Sequence, residues 1–311
     1  MNEIRFNTLP EISVIIPTFN RENQITRAVK SVLNQTFKNI ECIVVNDCST
    51  DNTLLLLKNI QKNDNRLKIF NHEYNKHASA SRNTGIKNAK GKYLAFLDDD
   101  DEWHNTKLEK QYLFLTNNKE YSMVYCWLDV YKNNVLVDTI RPTLNGYIFN
   151  ECLSKQPIGN ASTLLLHNDV IKKIGYFDIN LPRGNDGDFI RRVAEFFKIG
   201  VVCEVLVNYY SDRDGNPRIS LNDKSGILKS IYSQVIKLNK FNIQLKTRKK
   251  QHQEILISIC RGYFSIFNFK EGFKFYVKSI ILNPLNFKVY LTPLYSIKDF
   301  INRIFKTQNE S

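Results

Sequence analysis

Apolar segments that alternate with helix-like segments over the first 100 residues constrain the fold of this chain more than any other feature. The apolar segments are short and β-rich, and the helix-like ones repeat apolar residues every three or four positions. Strands alternating with helices form a mostly parallel sheet with helices on its faces. The predicted strands are Ile12–Ile16, which Pro17 ends, Ile40–Val45, Leu67–Phe70 and Tyr93–Leu97; the predicted helices are Gln24–Leu33, Thr53–Ile60 and Ser79–Ala89.

The later part of the chain has a less regular pattern. β-rich segments at Ser122–Tyr131 and Val201–Tyr210 lie on either side of a predicted helix at Phe189–Phe197. After about residue 222 the pattern is helical. We therefore divide the chain into an α/β domain, residues 1–221, and a helical C-terminal region, residues 222–311.

Charge is concentrated in the helical region. The chain has 44 Lys and Arg against 31 Asp and Glu, a net charge of +13. Residues 221–311 hold 16 basic and 5 acidic residues, so +11 belongs to them and only +2 to the first 220 residues. A nucleic-acid-binding protein is disfavoured, because these basic residues form no known recognition motif.

Two segments of this basic region are amphipathic, Lys270–Ile281 and Tyr290–Phe305. One interpretation is a helical hairpin packed on the α/β domain with a solvated lysine face. The other is a surface that rests on anionic lipid. The sequence alone leaves both open.

Cysteines and hydropathy indicate the compartment. The six cysteines lie singly, without a C-x-x-C pair or zinc-finger spacing, which predicts neither a zinc site nor a disulfide framework. The first ten residues lack an apolar signal core, and no run of 18 uncharged apolar residues occurs. We expect a cytoplasmic protein, with the inner face of the cell membrane as a further site of attachment. The five histidines are scattered and indicate no site.

Four consecutive carboxylates, Asp98–Asp101, follow the fourth predicted strand. Adjacent carboxylates repel one another unless a cation or strong donors lie among them. Asp98 and Asp100 would face the same side of a near-extended chain, which suits one Mg²⁺ or Mn²⁺ ion completed by phosphate oxygens and water. The alternative is a solvated acidic loop that caps a helix near Trp103.

Asp47 directly follows the second predicted strand. Ligands of open α/β sheets bind at the carboxyl ends of the strands, and an acid there often accepts hydrogen bonds from a nucleotide. The chain contains neither G-x-G-x-x-G nor a P-loop motif, which argues against a dinucleotide or P-loop site. Asp47 alone also suits a helix N-cap.

Five ordered blocks together resemble the family 2 glycosyltransferases, which have the GT-A fold. The blocks extend over the first hundred residues, and their order and spacing make the resemblance specific. They are Ser13–Asn20, Ser31–Phe37, Ile43–Thr53, Ala80–Ile86 and Gly91–Asp101.

The resemblance implies roles on the nucleotide side of the site. In this family the first strand leads into a segment that lines uracil and ribose, and a D-x-D motif holds a cation that bridges the diphosphate. The matching residues are Pro17, Thr18 and Phe19 for uracil and ribose, Asp47 for uracil, Arg82 and Asn83 beside the phosphates and sugar, Asp98 and Asp99 for ribose or donor sugar, and Asp98 and Asp100 for the metal.

The resemblance also implies a catalytic base before a helix. Asp186 matches that base, although Asn185 stands where the family usually has Glu, and Asp188 is a second candidate that equally suits the first turn of the helix. Other family positions give Asn160 and Ser162 as sugar contacts, against the alternative of a polar turn, and Arg213 and Arg218 as clamps on the diphosphate.

The implied activity is inverting transfer from a UDP-sugar to a glycan or lipid-linked acceptor, with Mg²⁺ or Mn²⁺, in bacterial surface glycan synthesis. Residues 1–120 would then bind the nucleotide sugar and residues 121–221 the acceptor. A GT-A module that binds nucleotide sugar without catalysis is the alternative.

Overall fold

The computed structural model describes residues 9–211 and 223–292. The chain divides into two compact units. Among the described residues, the first unit comprises 9–179 and 186–211, and the second comprises 180–185 and 223–292.

The first unit contains one nine-stranded sheet. Its strands are β1 Ile12–Thr18, β2 Ile40–Asn46, β3 Leu67–Asn71, β4 Tyr93–Phe96, β5 Glu102–Trp103, β6 Tyr121–Lys132, β7 Val135–Ile140, β8 Leu165–His167 and β9 Lys198–Tyr210. The order across the sheet is β3-β2-β1-β4-β8-β6-β9-β5, and β7 pairs with the outer part of β6.

The parallel part of the sheet, β3-β2-β1-β4, confirms the predicted mostly parallel GT-A architecture. Every residue of β1 and β2 is buried, as expected of strands covered on both faces. Val14 and Ile16 of β1 point into one hydrophobic cluster, and Ile15 points into the cluster on the opposite face. The sheet therefore lies between two apolar layers.

The helices of this part follow the strands in sequence. Gly85 lets the third helix pack directly on β1, because a Cβ atom there would lie 2.4 Å from Ile15 Cγ2. This close approach sets the distance between that helix and β1. The helices are α1 Ile25–Leu33, α2 Thr53–Gln61, α3 His77–Asn88, α4 Lys107–Asn117, α5 Phe149–Ser154, α6 Val170–Ile174 and α7 Asn185–Phe196.

Two features of the sheet differ from the sequence prediction. Pro17 does not end β1, which continues to Thr18. Proline has no backbone N–H to donate to a neighbouring strand. The backbone of Ile15 bonds toward β4, and Pro17, two residues later, faces the same side. Because β4 already ends at Phe96, no β4 residue lies opposite Pro17 to need that donor. The three-residue strand β8, antiparallel to both β4 and β6, was not predicted, because it is too short to show alternation.

The second unit is helical in its described part, as the sequence predicted. Its helices are α8 Lys224–Lys240, α9 Asn242–Lys246, α10 Lys249–Ser265 and α11 Phe269–Leu282. Glycines allow close packing: a Cβ at Gly272 of α11 would lie 2.3 Å from the Phe264 ring of α10. Across residues 9–211 and 223–292, no helix combines the length and hydropathy needed to cross a bilayer.

An exposed face of α11 carries two adjacent columns of side chains. Residues four apart in sequence lie on one side of a helix. An apolar column and a lysine column therefore run side by side, and all their members are exposed. The apolar column is Phe269, Phe273, Val277 and Ile281, and the lysine column is Lys270, Lys274 and Lys278.

Candidate active site

Polar and charged side chains gather where the parallel strands end. β1, β2 and β4 are neighbours in the sheet and end at Thr18, Asn46 and Phe96. The carboxyl edge of such a sheet is where ligands bind in open α/β folds. Asp47 follows β2 directly, and Asp98–Asp101 follow β4 after one residue.

Arg82 of α3 connects two of the predicted site acids. Its guanidinium Nη2 donates to Asp98 Oδ1 at 2.5 Å, and its Nη1 lies 3.5 Å from Asp186 Oδ1. Arg82 is only 5% exposed and lies over the Phe177 ring. Burial alone would lower the pKa of Arg82, but the carboxylates of Asp98 and Asp186 hold that pKa above its ordinary value. A fixed positive charge therefore stands between two acids.

Asp186 lies in the first turn of α7, and its second carboxylate oxygen faces a backbone donor. The N–H of Ala161 donates to Asp186 Oδ2 at 3.3 Å. Burial raises the pKa of Asp186 above its ordinary value, Arg82 opposes that rise, and the charge of Asp98 adds to it. A carboxylate whose pKa is raised in this way is a better proton acceptor than a solvated one.

Asp188, the second candidate base, is committed to a structural ion pair. Its Oδ2 accepts from Arg192 Nε at 2.9 Å, one helical turn later. The Arg192 guanidinium also donates to the backbone carbonyls of Ile174, at 2.5 Å, and Tyr176, at 2.9 Å. Asp188 therefore orients Arg192, which connects α7 to the preceding segment, and of the two acids Asp186 is the one that pairs with Arg82.

The turn Asp98–Asp101 is held by donors from several elements. The Asp98 N–H donates to Ser162 Oγ at 3.1 Å, and the Ser162 hydroxyl donates to Asp101 Oδ2 at 2.5 Å. Arg21 Nε donates to Asp99 Oδ1 at 3.2 Å. Arg27 Nη2 donates to the carbonyl of Asp100 at 2.6 Å. The backbone of the turn is therefore fixed before any ligand binds.

The carboxylates of this turn still repel one another. Burial and the charge of Asp100 raise the pKa of Asp99 to about 7, although Arg21 opposes the rise. Burial and the charges of Asp100 and Asp98 also raise the pKa of Asp101 well above its ordinary value. A cation bound beside Asp100 would relieve this repulsion.

These acids fit a hard divalent cation as carboxylate ligands. No group of three or more His, Cys, Asp or Glu side chains converges to hold a metal among residues 9–211 and 223–292. Mg²⁺ and Mn²⁺ do not need such a cage, because one or two carboxylates suffice when phosphate oxygens and water complete the shell. Of the two predicted metal ligands, Asp98 also pairs with Arg82.

The residues predicted to contact uracil and ribose from the first two strands lie at the ends of β1 and β2. Pro17 and Thr18 are buried within β1, whereas Phe19 is 41% exposed just beyond it. The Asp47 carboxylate Oδ1 accepts hydrogen bonds from the N–H of Lys76 at 2.8 Å and from His72 Nδ1 at 2.7 Å. Asp47 does not cap α2, whose N-cap residue is Asn52.

His72 is a site residue that sequence reasoning missed. The register pairs Asn46 with Asn71, so the next residues, Asp47 and His72, lie beside each other. The sequence signal available for His72 was its position shortly after the predicted strand that became β3. Without the register, however, its neighbour could not be identified.

Two residues predicted to contact ligand make hydrogen bonds within the fold. Asn83 uses its amide against the backbone of Phe177: Nδ2 donates to the carbonyl at 2.9 Å, and Oδ1 accepts from the N–H at 2.9 Å. Ser162 is completely buried beneath the Asp98–Asp101 turn rather than exposed to a sugar. Asn83 thus contacts Phe177, and Ser162 contacts Asp101.

The remaining predicted residues are Asn160, Arg213 and Arg218. Asn160 is partly exposed, and its Nδ2 lies 3.4 Å from Asp101 Oδ2, at the margin of a hydrogen bond. Arg213 and Arg218 lie outside the described residues, so the predicted diphosphate clamp stays a prediction. All six cysteines are free thiols.

The sheet, its carboxyl-edge site and its solved neighbours define a GT-A fold. The crystal structure of Staphylococcus aureus TarS 1-349 in complex with UDP-GlcNAc superposes with a TM-score of 0.62, covering 94% of this chain and 80% of that chain. The sequence identity is 21%, so this likeness establishes the fold alone.

The family follows from the sequence comparisons. The family model for Glycosyl transferase family 2 matches residues 13–174, more than half of the 311 residues. The chain therefore belongs to glycosyltransferase family 2. The match ends before Asp186, so the family model does not reach the candidate base.

Two curated relatives illustrate how far the similarity extends. UDP-Glc:alpha-D-GlcNAc-diphosphoundecaprenol beta-1,3-glucosyltransferase WfgD of Escherichia coli is 40% identical over 126 residues, covering 40% of this chain and 49% of WfgD. An uncharacterized glycosyltransferase of Rickettsia conorii is 34% identical over 197 residues, covering 63% of this chain and 32% of that protein. The aligned part is therefore at most about half of either relative.

Proposed function

We propose that this chain is an inverting glycosyltransferase that transfers a sugar from a UDP-sugar to a glycan or lipid-linked acceptor. The observation that carries the proposal is the bridge from Asp98 through Arg82 to Asp186. It joins the acidic turn at the end of β4 to a separate acid at the start of α7. Leaving-group stabilisation and proton removal require two such groups on different sides of a reacting sugar.

The reaction is a single displacement. Asp186 accepts the proton of the acceptor hydroxyl, and that oxygen attacks the anomeric carbon of the donor sugar. The bond from the anomeric carbon to the β-phosphate oxygen breaks, and UDP leaves with the electron pair. Attack from the face opposite UDP inverts the anomeric centre, so an α-linked donor gives a β-glycosidic bond.

Negative charge on the departing diphosphate must be neutralised. Mg²⁺ or Mn²⁺, held by Asp100 with Asp98 beside it, would supply a positive charge at the diphosphate when bound. Arg82 offsets the repulsion between Asp98 and Asp186, since its positive charge lies between them. The predicted clamps Arg213 and Arg218 would add positive charge at the same group.

The nucleotide is assigned to the edge of β1 and β2. Asp47 would accept a hydrogen bond from uracil, Phe19 would cover the base or ribose, and Asp99 would lie near the ribose or donor sugar. The names of two similar proteins mention UDP-GlcNAc and UDP-Glc, one as a ligand and the other as a donor. These names support UDP as the first nucleotide to test.

The acceptor assignment rests on relatives and on the basic second unit. The name of WfgD includes a diphosphoundecaprenol acceptor, and such a lipid lies in a membrane. We propose that the two columns of α11 contact an anionic bilayer at the inner face of the cell membrane. Apolar side chains would enter the interface while Lys270, Lys274 and Lys278 meet lipid phosphates, and the +11 charge of residues 221–311 would add attraction.

The direct test is UDP release by the full chain. UDP-glucose, UDP-galactose, UDP-GlcNAc and UDP-GalNAc are supplied in turn with Mn²⁺ and a synthetic lipid diphosphate-linked GlcNAc acceptor. Acceptor-dependent UDP release with at least one donor is expected. Binding of UDP without release from any donor would favour the catalytically silent module, and release from GDP-sugars or dTDP-sugars only would overturn the nucleotide assignment.

A further inference from the structure

His72 forms a buried connection between Asp47 and α3. Its Nδ1 lies 2.7 Å from Asp47 Oδ1, and its Nε2 lies 2.9 Å from the Thr84 hydroxyl. The side chains of His72 and Asp47 are only 6% and 4% exposed. An imidazole with polar partners on both nitrogens has a fixed ring orientation.

The partners determine which ring nitrogen carries the proton. An ionised carboxylate only accepts hydrogen bonds, so His72 Nδ1 must donate to Asp47. In the neutral imidazole Nε2 is then an acceptor, and the Thr84 hydroxyl donates to it. The Thr84 hydroxyl thus donates to His72, and His72 donates to Asp47. Both ring nitrogens of His72 therefore have a hydrogen-bond partner.

Asp47 is therefore held asymmetrically. Oδ1 receives both His72 Nδ1 and the N–H of Lys76, whereas Oδ2 accepts no hydrogen bond from the described residues. The backbone beneath is fixed as well, because the His72 N–H donates to the Asn46 carbonyl at 2.9 Å. Both donors therefore fix the Oδ1 side of the Asp47 carboxylate.

We propose that His72 and Thr84 are positioning residues that orient the Asp47 carboxylate for recognition of the nucleotide base. This inference rests on the proposed function, in which Asp47 accepts a hydrogen bond from the base. A carboxylate oxygen requires an N–H donor, which uracil N3 provides and cytosine N3 does not. His72 thus contributes to base selection without touching the nucleotide.

The test separates base recognition from diphosphate binding. Calorimetry with Mn²⁺ measures the dissociation constants of UDP, CDP and inorganic pyrophosphate for the full chain and its variants. For His72→Ala we expect UDP affinity to fall about 10-fold, as for loss of a hydrogen bond to a charged group. Pyrophosphate, which has no base, should bind as to the wild type, and the preference for UDP over CDP should shrink.

Conservative variants test the donor chain itself. His72→Asn places an amide N–H near the Nδ1 position and should restore most of the UDP affinity. Thr84→Val keeps the side-chain shape but removes the hydroxyl, and should weaken UDP about 3-fold while leaving pyrophosphate unchanged. His104→Ala, at an exposed histidine, is the matched control and should bind both ligands normally. Thermal melting establishes that each variant is folded.

Three results would contradict these expectations in different ways. Equal UDP affinity in wild type and His72→Ala would overturn the positioning role and leave the proposed function intact. Equal losses for UDP and pyrophosphate would show that His72 only supports the fold. Absence of UDP binding by the wild type would instead overturn the proposed function, and with it the role of His72.

Discussion

The carboxyl edge of the sheet and the exposed face of α11 use charge in opposite ways. At the edge, charged groups are paired: the buried Arg82 lies between the partly exposed Asp98 and Asp186. On α11, Lys270 and Lys278 are exposed beside exposed apolar side chains, of which Ile281 is 74% accessible. The edge therefore holds individual charges in fixed pairs, whereas α11 presents charged and apolar side chains over an extended surface.

This difference indicates what each region is suited to bind. Burying a charge is costly unless a partner compensates it, so buried pairs persist where fixed geometry matters. Such a site suits a small, highly charged ligand like a nucleoside diphosphate. Exposed lysines beside an apolar column gain little from any one contact but add up over a broad anionic surface.

The first expected effect concerns the metal at the edge. Asp100→Asn should lower Mn²⁺-dependent turnover by about 100-fold or more, because a metal contributes several kcal/mol to charge stabilisation. EDTA should abolish wild-type turnover, and added Mn²⁺ should restore it. Asp138→Asn, at an exposed residue of β7, is the matched control. Full activity of Asp100→Asn, or of the wild type in EDTA, would show that turnover does not depend on a metal ion.

The second expected effect concerns α11. Changing Lys270, Lys274 and Lys278 to Glu should weaken binding to phosphatidylglycerol vesicles by about 100-fold, since each lysine near an anionic surface contributes about 1 kcal/mol. Turnover with a water-soluble acceptor should not change. Vesicle sedimentation at increasing salt is the measurement.

A matched triple variant separates local contact from net charge. Lys58, Lys62 and Lys68 are exposed lysines of the first unit, and changing all three to Glu alters the net charge equally. This control should bind vesicles almost as the wild type does. If both triple variants lose binding equally, α11 is not the contact surface.

The smallest expected effect is a shift in pH dependence. The Arg82 charge lowers the pKa of Asp186, so Arg82→Gln should raise that pKa further. Asp186 must be ionised to accept a proton, and the acidic limb of kcat/KM should therefore move to higher pH. Arg66→Gln, which breaks an ion pair with Asp64, is the control and should leave the limb in place. A limb that stays or moves to lower pH in Arg82→Gln would show that Arg82 does not act on the base.

Much of the frame could be predicted because its signals are local. Apolar strands, helical spacing and family blocks gave β1 to β4 and α1 to α3 to within a few residues. Asp47 and Asp98 could be assigned to one edge, because parallel strands end on the same side. The predicted strand ends were sufficient to place these two residues on the same edge.

The rest depends on contacts between segments distant in sequence. Asn83 meets Phe177 across 94 residues, and Ser162 meets Asp101 across 61, so neither role could be predicted from a local pattern. His72 required the register of β2 and β3. For α11 the amphipathic spacing was visible, but which face is exposed depends on its packing against α10.

The identity of the catalytic base is tested by comparing two acids in one turn of α7. Asp186→Asn should lower turnover of the UDP-sugar by about 1,000-fold, as expected for loss of a general base, while UDP binding persists. Asp188→Asn should lower the melting temperature, because it breaks the Arg192 pair, while the folded protein keeps near-normal turnover. Normal turnover in Asp186→Asn, with the loss appearing instead in folded Asp188→Asn, would contradict the account.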